Sequence, residues 1–522
     1  MSRQLVSFDT DRIKEYLFAT PALSDIRVAS AILDDLNRAQ TLVVLRSVYP
    51  DLDENTDLIY AAGGSAMIVL PNETTADQAI RAVEQLYRRE TVIATITGEK
   101  VPISEEELRS NFGSKARQVG HRLRQRKGSR GRGRTLPVAP YMHFCDACSQ
   151  HPAAYLDGEE LICRACEIKR RPEAREARRG LWQKLIQVTD ACPAKPPAEW
   201  EDLFQGTLGK RWHFQHRPPA DFGDIGDAAR RKGYIALIYA DGNNVGRVLE
   251  RLPTQMDYHF FSENVDDLLL RVTYKALMEQ VQKQPDQSLF EVLMVGGDDL
   301  MLVTTADIAL DVALALMRDF EAYSAPLMSP HGEEPLSLGT GIVIAQSSFP
   351  IAAMQDLATA LQKRAKRRSF EAGGVGAIDF MVVTAAGSQG LDRLREEILT
   401  EHGFAFPPAD ERSYRLTQRP YIVEDLADLI ERGRALKRSG FPTTQLQAMY
   451  EALFRSPTAA QLTAIQVIGR ARRSADINKD HRRLLLDFFY RFGAMPVPPW
   501  RDQETEGRDS ALGDLIEIYP FI

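Results

Sequence analysis

The chain has 522 residues, of which 44% are hydrophobic and 26% charged, and its formal net charge is −7. This composition is typical of a folded globular protein and excludes a disordered chain, a collagen-like fibre and a small disulfide scaffold. The length is sufficient for three or four domains. The N-terminal residues show no leader pattern, and no run of about 18 uncharged apolar residues occurs, so we expect a cytoplasmic protein without membrane spans.

The hydrophobic pattern of the first hundred residues predicts alternating strands and helices. In chain order these are strand 5–8, helix 24–38, two strands within 56–70 and helix 75–90. Such a succession follows the β-α-β-β-α-β order of a ferredoxin-like domain. We place this domain at residues 1–108.

A strongly basic segment comes next. Residues 109–134 contain ten Lys or Arg and no Asp or Glu. Like charges interrupted by glycine are typical of a solvated linker, and less often of an arm that binds nucleic-acid phosphates. We therefore predict a linker or arm over 109–139, and residues 109–134 are the expected contact with any RNA partner.

Four of the five cysteines form two CxxC pairs, Cys145 with Cys148 and, after 14 intervening residues, Cys163 with Cys166. Each CxxC turn directs two thiolates at one ion, and two such turns complete a tetrahedron. This predicts a structural Zn²⁺ in a module with a helical connector over 140–230. Because protein ligands fill all four positions, no catalytic role is expected for that ion. The fifth cysteine, Cys192, is expected to be a free thiol.

The strand and helix succession then returns. In chain order we expect strand 234–240, helix 261–282, strands 290–295 and 300–304, helix 307–323, strand 336–345 and helix 351–367. This is a second ferredoxin-like domain, placed at 231–390. Helical spacing of apolar residues from Pro420 onwards predicts an α-helical C-terminal domain over 391–522. The fold class is thus α+β, with two ferredoxin-like domains, a zinc module between them and a helical C-terminus.

Spacing relates the two copies to each other. Gly63 follows Asp9 by 54 positions, and Gly296 follows Asp241 by 55. The tetrapeptide Thr-Thr-Ala-Asp then occurs at 74–77 and again at 304–307, where a helix cap is expected. Together these features predict a duplicated domain.

Three carboxylates are the strongest catalytic candidates. Asp298 and Asp299 lie at the tip of the predicted hairpin EVLMVGGDDLMLV, and Asp241 ends the apolar strand of IALIYADGNNVG. A plain turn would also use Gly and Asp. In a ferredoxin-like sheet, however, the first strand lies beside the central hairpin, so the three carboxylates converge. Such a cluster suits Mg²⁺ or Mn²⁺, and two ions about 3.5–4 Å apart perform the chemistry of nucleotide polymerases and cyclases.

A triphosphate is expected to approach the backbone at this hairpin. Gly296 and Gly297 leave room for it, and the N–H groups of Gly242, Asn243 and Asn244 are predicted to bind it. Positive charge would come from the end of the following helix, at Lys363, Arg364, Lys366, Arg367 and Arg368, although a solvated helix end is an equal interpretation.

The first copy has Gly63, Gly64, Ser65 and Ala66 in place of Gly-Gly-Asp-Asp, so it lacks the metal ligands. It is expected either to bind a second nucleotide through Gly63, Gly64 and Ser65 or to act as a packing partner. Asp9 and Asp11 are interpreted as surface or cap residues.

These motifs resemble the CRISPR polymerase family, the large palm-domain subunit of type III CRISPR effector complexes. The similar segments are FDTDRIKEYLFATPALSDIRVASAILDDLNR in a first palm, the two CxxC pairs in a zinc insertion, and IYADGNNVG, VGGDDLMLV, GTGIVIAQSSFP and LQKRAK in a second palm. The resemblance implies that Asp241, Asp298 and Asp299 bind the catalytic metals. It also implies that Lys366 contacts a triphosphate and that ATP is joined at the palm interface into cyclic oligoadenylate, a second messenger in antiviral defence.

Many members of that family begin with an HD nuclease domain. Here the first palm begins within ten residues of Met1 and no His-Asp pair occurs. We therefore expect a short or stand-alone member without that nuclease.

The predicted function is a Mg²⁺-dependent nucleotidyltransferase acting on ATP, whose product is a cyclic oligoadenylate, a cyclic dinucleotide or an adenylylated small molecule. The alternative is a nucleic-acid-binding scaffold within a guide-RNA effector complex, with a slow palm. Three clustered carboxylates argue against a purely structural role, because a scaffold gains nothing from their mutual repulsion.

Overall fold

The computed structural model describes residues 3–129, 141–172, 181, 218–284, 287–383, 391–408, 410–470, 477–503 and 507–522. Cys192, the basic residues 130–134 and most of the predicted connector lie outside these ranges.

The first palm is a four-stranded antiparallel sheet. Its strands are β1 (Arg3–Asp11), β2 (Leu58–Ala62), β3 (Ser65–Leu70) and β4 (Thr95–Ile103). Their order is β2-β3-β1-β4, and β1 pairs with both β3 and β4. This is ferredoxin-like topology, which confirms the predicted fold class.

Six α-helices accompany this sheet. They are α1 (Ile13–Leu17), α2 (Leu23–Asp35), α3 (Thr41–Val48), α4 (Glu73–Thr91), α5 (Glu105–Ser110) and α6 (Phe112–Ser129). A π-helical turn at Leu36–Gln40 joins α2 to α3. One face of the sheet, with Val6 and Phe8, packs with Val83 and Tyr87 of α4 in a common apolar cluster.

The helix α6 corrects the interpretation of 109–139 as a linker. Phe112, Ala116, Val119 and Leu123 recur at helical spacing and are buried, and α6 packs against β1 and β4. The basic residues lie around this apolar stripe, because an amphipathic helix keeps its charges toward solvent. The high positive charge of this segment drew attention away from the helical spacing of its apolar residues.

The cysteine module consists of a short hairpin and a helix. They are β5 (Tyr155–Asp157), β6 (Glu160–Ile162) and α7 (Arg164–Arg170). Lys169 is fully buried and donates a 2.6 Å hydrogen bond to the carbonyl of Tyr16, and Arg170 lies 3.3 Å from the carboxylate of Asp25. The module is therefore held against α1 and α2 of the first palm.

The second palm has a larger sheet. Its strands are β7 (Tyr234–Asn243), β8 (Phe290–Gly296), β9 (Asp299–Thr305), β10 (Ser337–Gln346), β11 (Ala377–Val382) and, after the short β12 (Ser413–Arg415), β13 (Tyr421–Ile422). The sheet order is β13-β11-β10-β7-β9-β8, in which β10-β7-β9-β8 repeats the order of the first palm. Two strands beyond the duplicated core extend one edge.

Helices cover both faces of this sheet. They are α8 (Phe222–Ala228), α9 (Val245–Leu249), α10 (Gln255–Val281), α11 (Ala309–Met328) and α12 (Ile351–Glu371). Alternate residues of β7 face opposite ways, as in any strand: Ile238 packs with α10 and α11, and Leu237 packs with α12. The long α12 contacts β7, β10 and β11.

The two palms pack reciprocally. Helix α2 of the first palm lies on β8 of the second, and α10 of the second lies on β2 of the first. Arg27 forms an ion pair with the buried Glu291 in the first contact, and the carbonyl of Ile59 is 2.7 Å from Nδ1 of His259 in the second. This arrangement brings the tips of both central hairpins together.

The C-terminal region is mainly helical, as predicted. Its helices are α13 (Leu391–Arg393), α14 (Val423–Arg438), α15 (Thr443–Arg455), α16 (Pro457–Arg470), α17 (Ile477–Arg491) and α18 (Leu512–Ile518). A small sheet, not predicted, joins β12 to β15 (Gly507–Asp509) and β14 (Arg501–Asp502). Within the described residues no helix has the length and apolarity to span a membrane.

The duplicated tetrapeptide is a coincidence of sequence. Thr74–Asp77 lies in the first turns of α4, where the side chain of Asn72 accepts a hydrogen bond from the backbone of Thr75. Thr304 and Thr305 instead end β9. The two copies of the motif therefore occupy different structural positions, although the domain duplication itself is present.

Candidate functional site

The central hairpin of the second palm brings the three carboxylates together. Strand β8 ends at Gly296 and β9 begins at Asp299, so Gly297 and Asp298 form the tip. Asp241 lies directly opposite Asp299 in the β7–β9 ladder. The N–H of Gly242 donates a 3.0 Å hydrogen bond to the carbonyl of Asp298. Asp241, Asp298 and Asp299 therefore lie at one edge of the sheet, as the sequence predicted.

The structure moves the register between the two hairpins by one residue. Asp9 lies opposite Ser65 in the first palm, and Asp241 lies opposite Asp299 in the second. The N–H of Thr10 donates to the carbonyl of Gly64, as Gly242 does to Asp298. Gly64 and Ser65 are thus the counterparts of Asp298 and Asp299. Matching the glycines by sequence was wrong by one position, because the Gly-Gly pair begins at the turn in one copy and one residue earlier in the other.

The carboxylates raise one another's affinity for protons. Burial, followed by the proximity of Asp241, raises the pKa of Asp298 to about 6. Burial and the charges of Asp241 and Asp298 raise the pKa of Asp299 to about 8. Crowded, desolvated carboxylates of this kind are costly unless a cation neutralises them, and oxygen donors are what Mg²⁺ and Mn²⁺ prefer. The donor set fits a divalent cation.

Helix α12 directs two side chains at Asp241. Lys366 Nζ is 2.5 Å from Asp241 Oδ2 and donates a 2.9 Å hydrogen bond to the carbonyl of Gly242. Gln362 Nε2 donates to the same Asp241 oxygen at 3.0 Å. Gln362 and Lys366 are four positions apart, which places them on one face of the helix. Lys366 thus lies where a triphosphate contact was predicted.

A lysine of the first palm also reaches the site. Lys14 Nζ lies 4.5 Å from the centre of the Tyr239 ring and donates a 2.7 Å hydrogen bond to the hydroxyl of Thr359. Burial lowers the pKa of Lys14, and the charge of Asp299 partly opposes that shift. The Tyr239 hydroxyl donates to Asp299 Oδ1 at 3.3 Å. Both palms therefore contribute positive charge beside the carboxylates.

Several predicted phosphate donors are already engaged. The N–H of Gly242 binds the carbonyl of Asp298, and the N–H of Gly297 donates to Asp266 Oδ1 at 2.7 Å. The side chain of Asn243 is buried and donates to the hydroxyls of Ser337 and Ser369 at 2.9 and 3.0 Å. The N–H of Gly242 is therefore engaged within the protein. Nucleotide binding by Gly242, Asn243, Asn244, Gly296 and Gly297 stays a prediction. Asn244 has a positive φ of 62° and begins α9.

Ion pairs and a hydrogen bond connect the first palm to the hairpin that bears Asp298. Arg38 Nη2 lies 3.0 and 2.8 Å from the two carboxylate oxygens of Asp266, and Asp34 fixes Arg38 through a 3.1 Å contact. Asp266 in turn accepts the N–H of Gly297. Arg38 therefore fixes the carboxylate of Asp266, which in turn binds the backbone N–H of Gly297, the residue before Asp298.

The first hairpin is a packing partner. Asn37 Nδ2 donates a 3.1 Å hydrogen bond to the carbonyl of Ser65, and the Ser65 hydroxyl donates to the carbonyl of Ala62 at 3.2 Å. A Cβ on Gly296 would lie 2.9 Å from the nitrogen of Gly63. Gly63 therefore packs directly against the hairpin that bears Asp298, whereas Gly64 faces Ile13 and Thr10 of its own palm. Binding of a second nucleotide through Gly63, Gly64 and Ser65 stays a prediction.

Asp9 and Asp11 bind the end of α6. Lys127 Nζ is 2.5 Å from Asp9 and 2.8 Å from Asp11, and the Thr97 hydroxyl donates to Asp11 at 2.7 Å. They are surface residues, as predicted, with ion pairs that position a helix.

The basic end of α12 divides between two sides. Of the five basic residues in the described helix end, Lys366 is the one that forms an ion pair with Asp241. Arg364 lies 3.5 Å from the buried Asp379 on the other side of the helix, and Arg367 and Arg368 line a cleft there. The expectation that this whole cluster serves the triphosphate is therefore corrected, because neighbours along a helix face different ways.

The four cysteines of the CxxC pairs form a compact cluster. Cys145, Cys148, Cys163 and Cys166 are buried, and their sulfur atoms all lie within 4.8 Å of one another. Cys148 Sγ and Cys163 Sγ are 3.8 Å apart. A tetrahedron with Zn–S bonds of about 2.3 Å has edges of about 3.8 Å. The cluster therefore has the dimensions of a zinc site.

Comparison with known proteins agrees with this geometry. Residues 234–371 match the family model described as Cas10/Cmr2, second palm domain. The second palm is therefore similar to that domain. The chain shares its fold with the Csm1-Csm4 cassette in complex with cA4, at TM-score 0.57 and 16% identity over 93% of this chain and 69% of that one. The same cassette in complex with one ATP has TM-score 0.56 and 16% identity, over 93% of this chain and 70% of that one.

A third solved structure, the Csm1-Csm4 subcomplex of the type III-A CRISPR-Csm interference complex, has TM-score 0.55 and 16% identity, covering 93% of this chain and 69% of its own. No curated protein is similar to the chain in sequence. At this level of identity the solved structures establish the shared fold.

Sequence reasoning missed four residues of the site, Lys14, Arg38, Asp266 and Gln362. Lys14 and Arg38 come from the first palm, and nothing in their local sequence indicates a partner more than 200 positions away. Gln362 had a usable signal, since it lies one helical turn before Lys366.

Proposed function

We propose that the second palm catalyses metal-dependent nucleotidyl transfer and joins ATP into a cyclic oligoadenylate. The observation that carries this proposal is the convergence of Asp241, Asp298 and Asp299 at one sheet edge. The match to the Cas10/Cmr2 second palm, and the fold shared with Csm1 structures that hold ATP, cA3 or cA4, support it.

In the proposed reaction a 3′-hydroxyl oxygen of one nucleotide bonds to the α-phosphorus of another. The bond from that phosphorus to the pyrophosphate oxygen breaks, and the hydroxyl proton passes to solvent. Mg²⁺ or Mn²⁺ bound by the three carboxylates supplies the charge that favours the alkoxide and stabilises the departing pyrophosphate. In the final transfer, the 3′-hydroxyl of the oligonucleotide attacks the α-phosphorus at its own 5′ end, which closes the ring and releases the last pyrophosphate.

The surrounding residues position the reactants. Lys366, whose ammonium pairs with Asp241, would donate a hydrogen bond from that ammonium to a triphosphate oxygen in the nucleotide complex. Lys14 adds a second positive charge from the first palm. Asp266 and Arg38 fix the hairpin, so that the carboxylates need little rearrangement when the reaction occurs.

The cysteine cluster is proposed to hold one structural Zn²⁺. With four thiolate ligands it has no open position, so its effect is on folding. Through the contacts of Lys169 and Arg170, a folded cysteine module would also stabilise the first palm.

The decisive experiment incubates purified protein with each ribonucleoside triphosphate and Mg²⁺ or Mn²⁺, with and without RNA, and identifies products by mass spectrometry. Asp298→Ala/Asp299→Ala should abolish the product. Asp51→Ala/Glu411→Ala removes two exposed carboxylates elsewhere and should retain it. Ring size and nucleobase are read from the product mass. Absence of product under all conditions, with ATP still bound, would favour the scaffold alternative or a need for an activator.

RNA binding through 109–134 stays a prediction. Some basic residues of α6 already form ion pairs within the protein and are less available to an RNA phosphate. If RNA binding occurs, charge-removing substitutions on the exposed side of α6 should flatten the dependence of RNA affinity on salt. Unchanged salt dependence would contradict it.

A further inference from the structure

A basic cleft lies on the side of α12 that faces away from Asp241. Six arginines line it: Arg364, Arg367, Arg368, Arg415, Arg419 and Arg501. Three carboxylates, Glu371, Glu396 and Asp509, also line it. The cleft has a volume of about 360 Å³ and lies between the second palm and the small C-terminal sheet. We call it the arginine cleft.

The arginines at its floor are already neutralised. Arg419 lies 2.9 Å from Asp514 and 2.8 Å from Glu517. Arg501 donates two hydrogen bonds to Asp509, of 2.8 and 2.6 Å. These pairs fix the shape of the cleft and leave its floor close to neutral.

The arginines at the rim are different. Within the described residues, Arg367, Arg368 and Arg415 form no ion pair with an acidic side chain, although Glu371 and Glu396 line the same cleft. Arg367 and Arg415 are exposed and Arg368 is half-buried. Arg364 has a buried Nε without a hydrogen-bond partner, although Asp379 is 3.5 Å away. Three like charges around one concavity repel one another unless an anion joins them.

Guanidinium groups converging on a concave site are suited to phosphate, because each presents paired donors that match two oxygens. The cleft is large enough for two or three linked phosphates and too small for a nucleic-acid duplex. We propose that the arginine cleft binds a compact oligophosphate, either inorganic or the triphosphate end of a nucleotide. This site is separate from the carboxylates, and it does not depend on the proposed catalytic function.

The test is calorimetric titration of the full-length protein in EDTA, so that metal-dependent binding at the carboxylates does not contribute. The probes are inorganic triphosphate and ATP. Arg367→Gln/Arg415→Gln should weaken binding of both at least about tenfold. Arg81→Gln/Arg438→Gln removes two exposed arginines outside the cleft and should leave affinity unchanged. The corresponding lysine double variant keeps the charge and loses the paired donors, so we expect intermediate affinity.

Two results separate the sources of the ligand: binding of inorganic triphosphate supports a pure phosphate site, and binding of ATP alone supports a nucleotide site. The proposal is overturned if wild-type protein binds neither probe, if both arginine pairs weaken binding equally, or if only an RNA oligonucleotide binds. Arg368→Gln is the second variant, should the first double variant fail to fold by circular dichroism.

Discussion

Gly63 of the first palm and Gly296 of the second lie back to back, so that a Cβ atom on Gly63 would stand 2.8 Å from the carbonyl oxygen of Gly296. This contact joins the two central hairpins directly. It makes the position of the catalytic hairpin depend on a residue that bears no catalytic group.

Gly63→Ala should therefore lower both stability and product formation. Gly63 has φ +61°, which alanine adopts only with strain, and the added methyl meets backbone that cannot rotate away. We expect a loss of about 2–4 kcal/mol in the free energy of unfolding, measured by chemical denaturation. Gly158→Ala is the matched control, because Gly158 has φ +62° and open space around it, so only the conformational cost of about 1 kcal/mol applies. Equal losses would show that the hairpin contact is unimportant.

Asp299→Asn should stabilise the metal-free protein at alkaline pH. The pKa of Asp299 is raised from 3.8 to about 8 by burial and by neighbouring carboxylates, so the folded state holds this proton more tightly than the unfolded chain. That contribution to stability is complete at acid pH and is lost as pH rises through about 8.

In EDTA, the difference in stability between the variant and wild type, measured by thermal unfolding, should be smallest near pH 4, at the ordinary pKa of 3.8 that applies to the unfolded chain. They should then diverge, with the variant about 1–2 kcal/mol more stable at pH 9 after allowance for solvent screening. Saturating Mg²⁺ should reverse the order, because only wild type retains all three ligands. A difference independent of pH would refute the assigned cause.

Arg38 and Asp266 should be energetically coupled. The double-mutant cycle of Arg38→Met and Asp266→Asn is expected to give about 1–2 kcal/mol, because the pair is half-buried and its hydrogen bonds are charge-assisted. Each single variant should also slow product formation, since Gly297 loses its fixed acceptor. The exposed helical pair Arg393 and Glu397 serves as the comparison and should couple by less than about 0.5 kcal/mol. Similar coupling in both pairs would argue against a role for Arg38 and Asp266 in fixing the hairpin.

Lys366→Met should weaken ATP binding in the presence of Mg²⁺ by about tenfold, which corresponds to one charge-assisted hydrogen bond. Lys366→Arg should restore part of it. Lys283→Met is the matched control, since Lys283 is exposed just beyond the end of α10. If both methionine variants bind equally well, Lys366 serves only to neutralise Asp241.

Metal analysis should give about one Zn per chain, on the ligand count of the cysteine cluster. Cys166→Ser should lose the metal and lower the melting temperature, because Lys169 and Arg170 would no longer be held against the first palm. Cys192→Ser, outside both CxxC pairs, should keep the metal. A folded wild-type protein free of zinc would contradict the assignment.

The duplicated fold could be predicted from sequence because each palm has short apolar strands and helices in the same order and a Gly-rich turn between its two central strands. Convergence of Asp241 with Asp298 and Asp299 followed from that topology. The one-residue register error at the hairpin arose because glycine identity was used where strand pairing decides.

Contacts between the palms could not be predicted. Lys14 reaches Tyr239, and Arg38 reaches Asp266, across a packing of domains that local sequence does not encode. The basic helix α6 was misread for a related reason: its stripe of Phe112, Ala116, Val119 and Leu123 is thin beside the six Lys and Arg residues of the same helix. Charge density dominates a sequence pattern even where burial determines the structure.

Restoring a metal site to the first hairpin would take more than two acidic substitutions. Gly64, the counterpart of Asp298, has φ +81°, and a Cβ there would lie 2.8 Å from the side chain of Ile13. An aspartate would meet both backbone strain and a clash. The two halves thus differ in main-chain conformation as well as in side chains, and the polypeptide resembles a fused heterodimer in which one half carries the three carboxylates and the other packs against their hairpin.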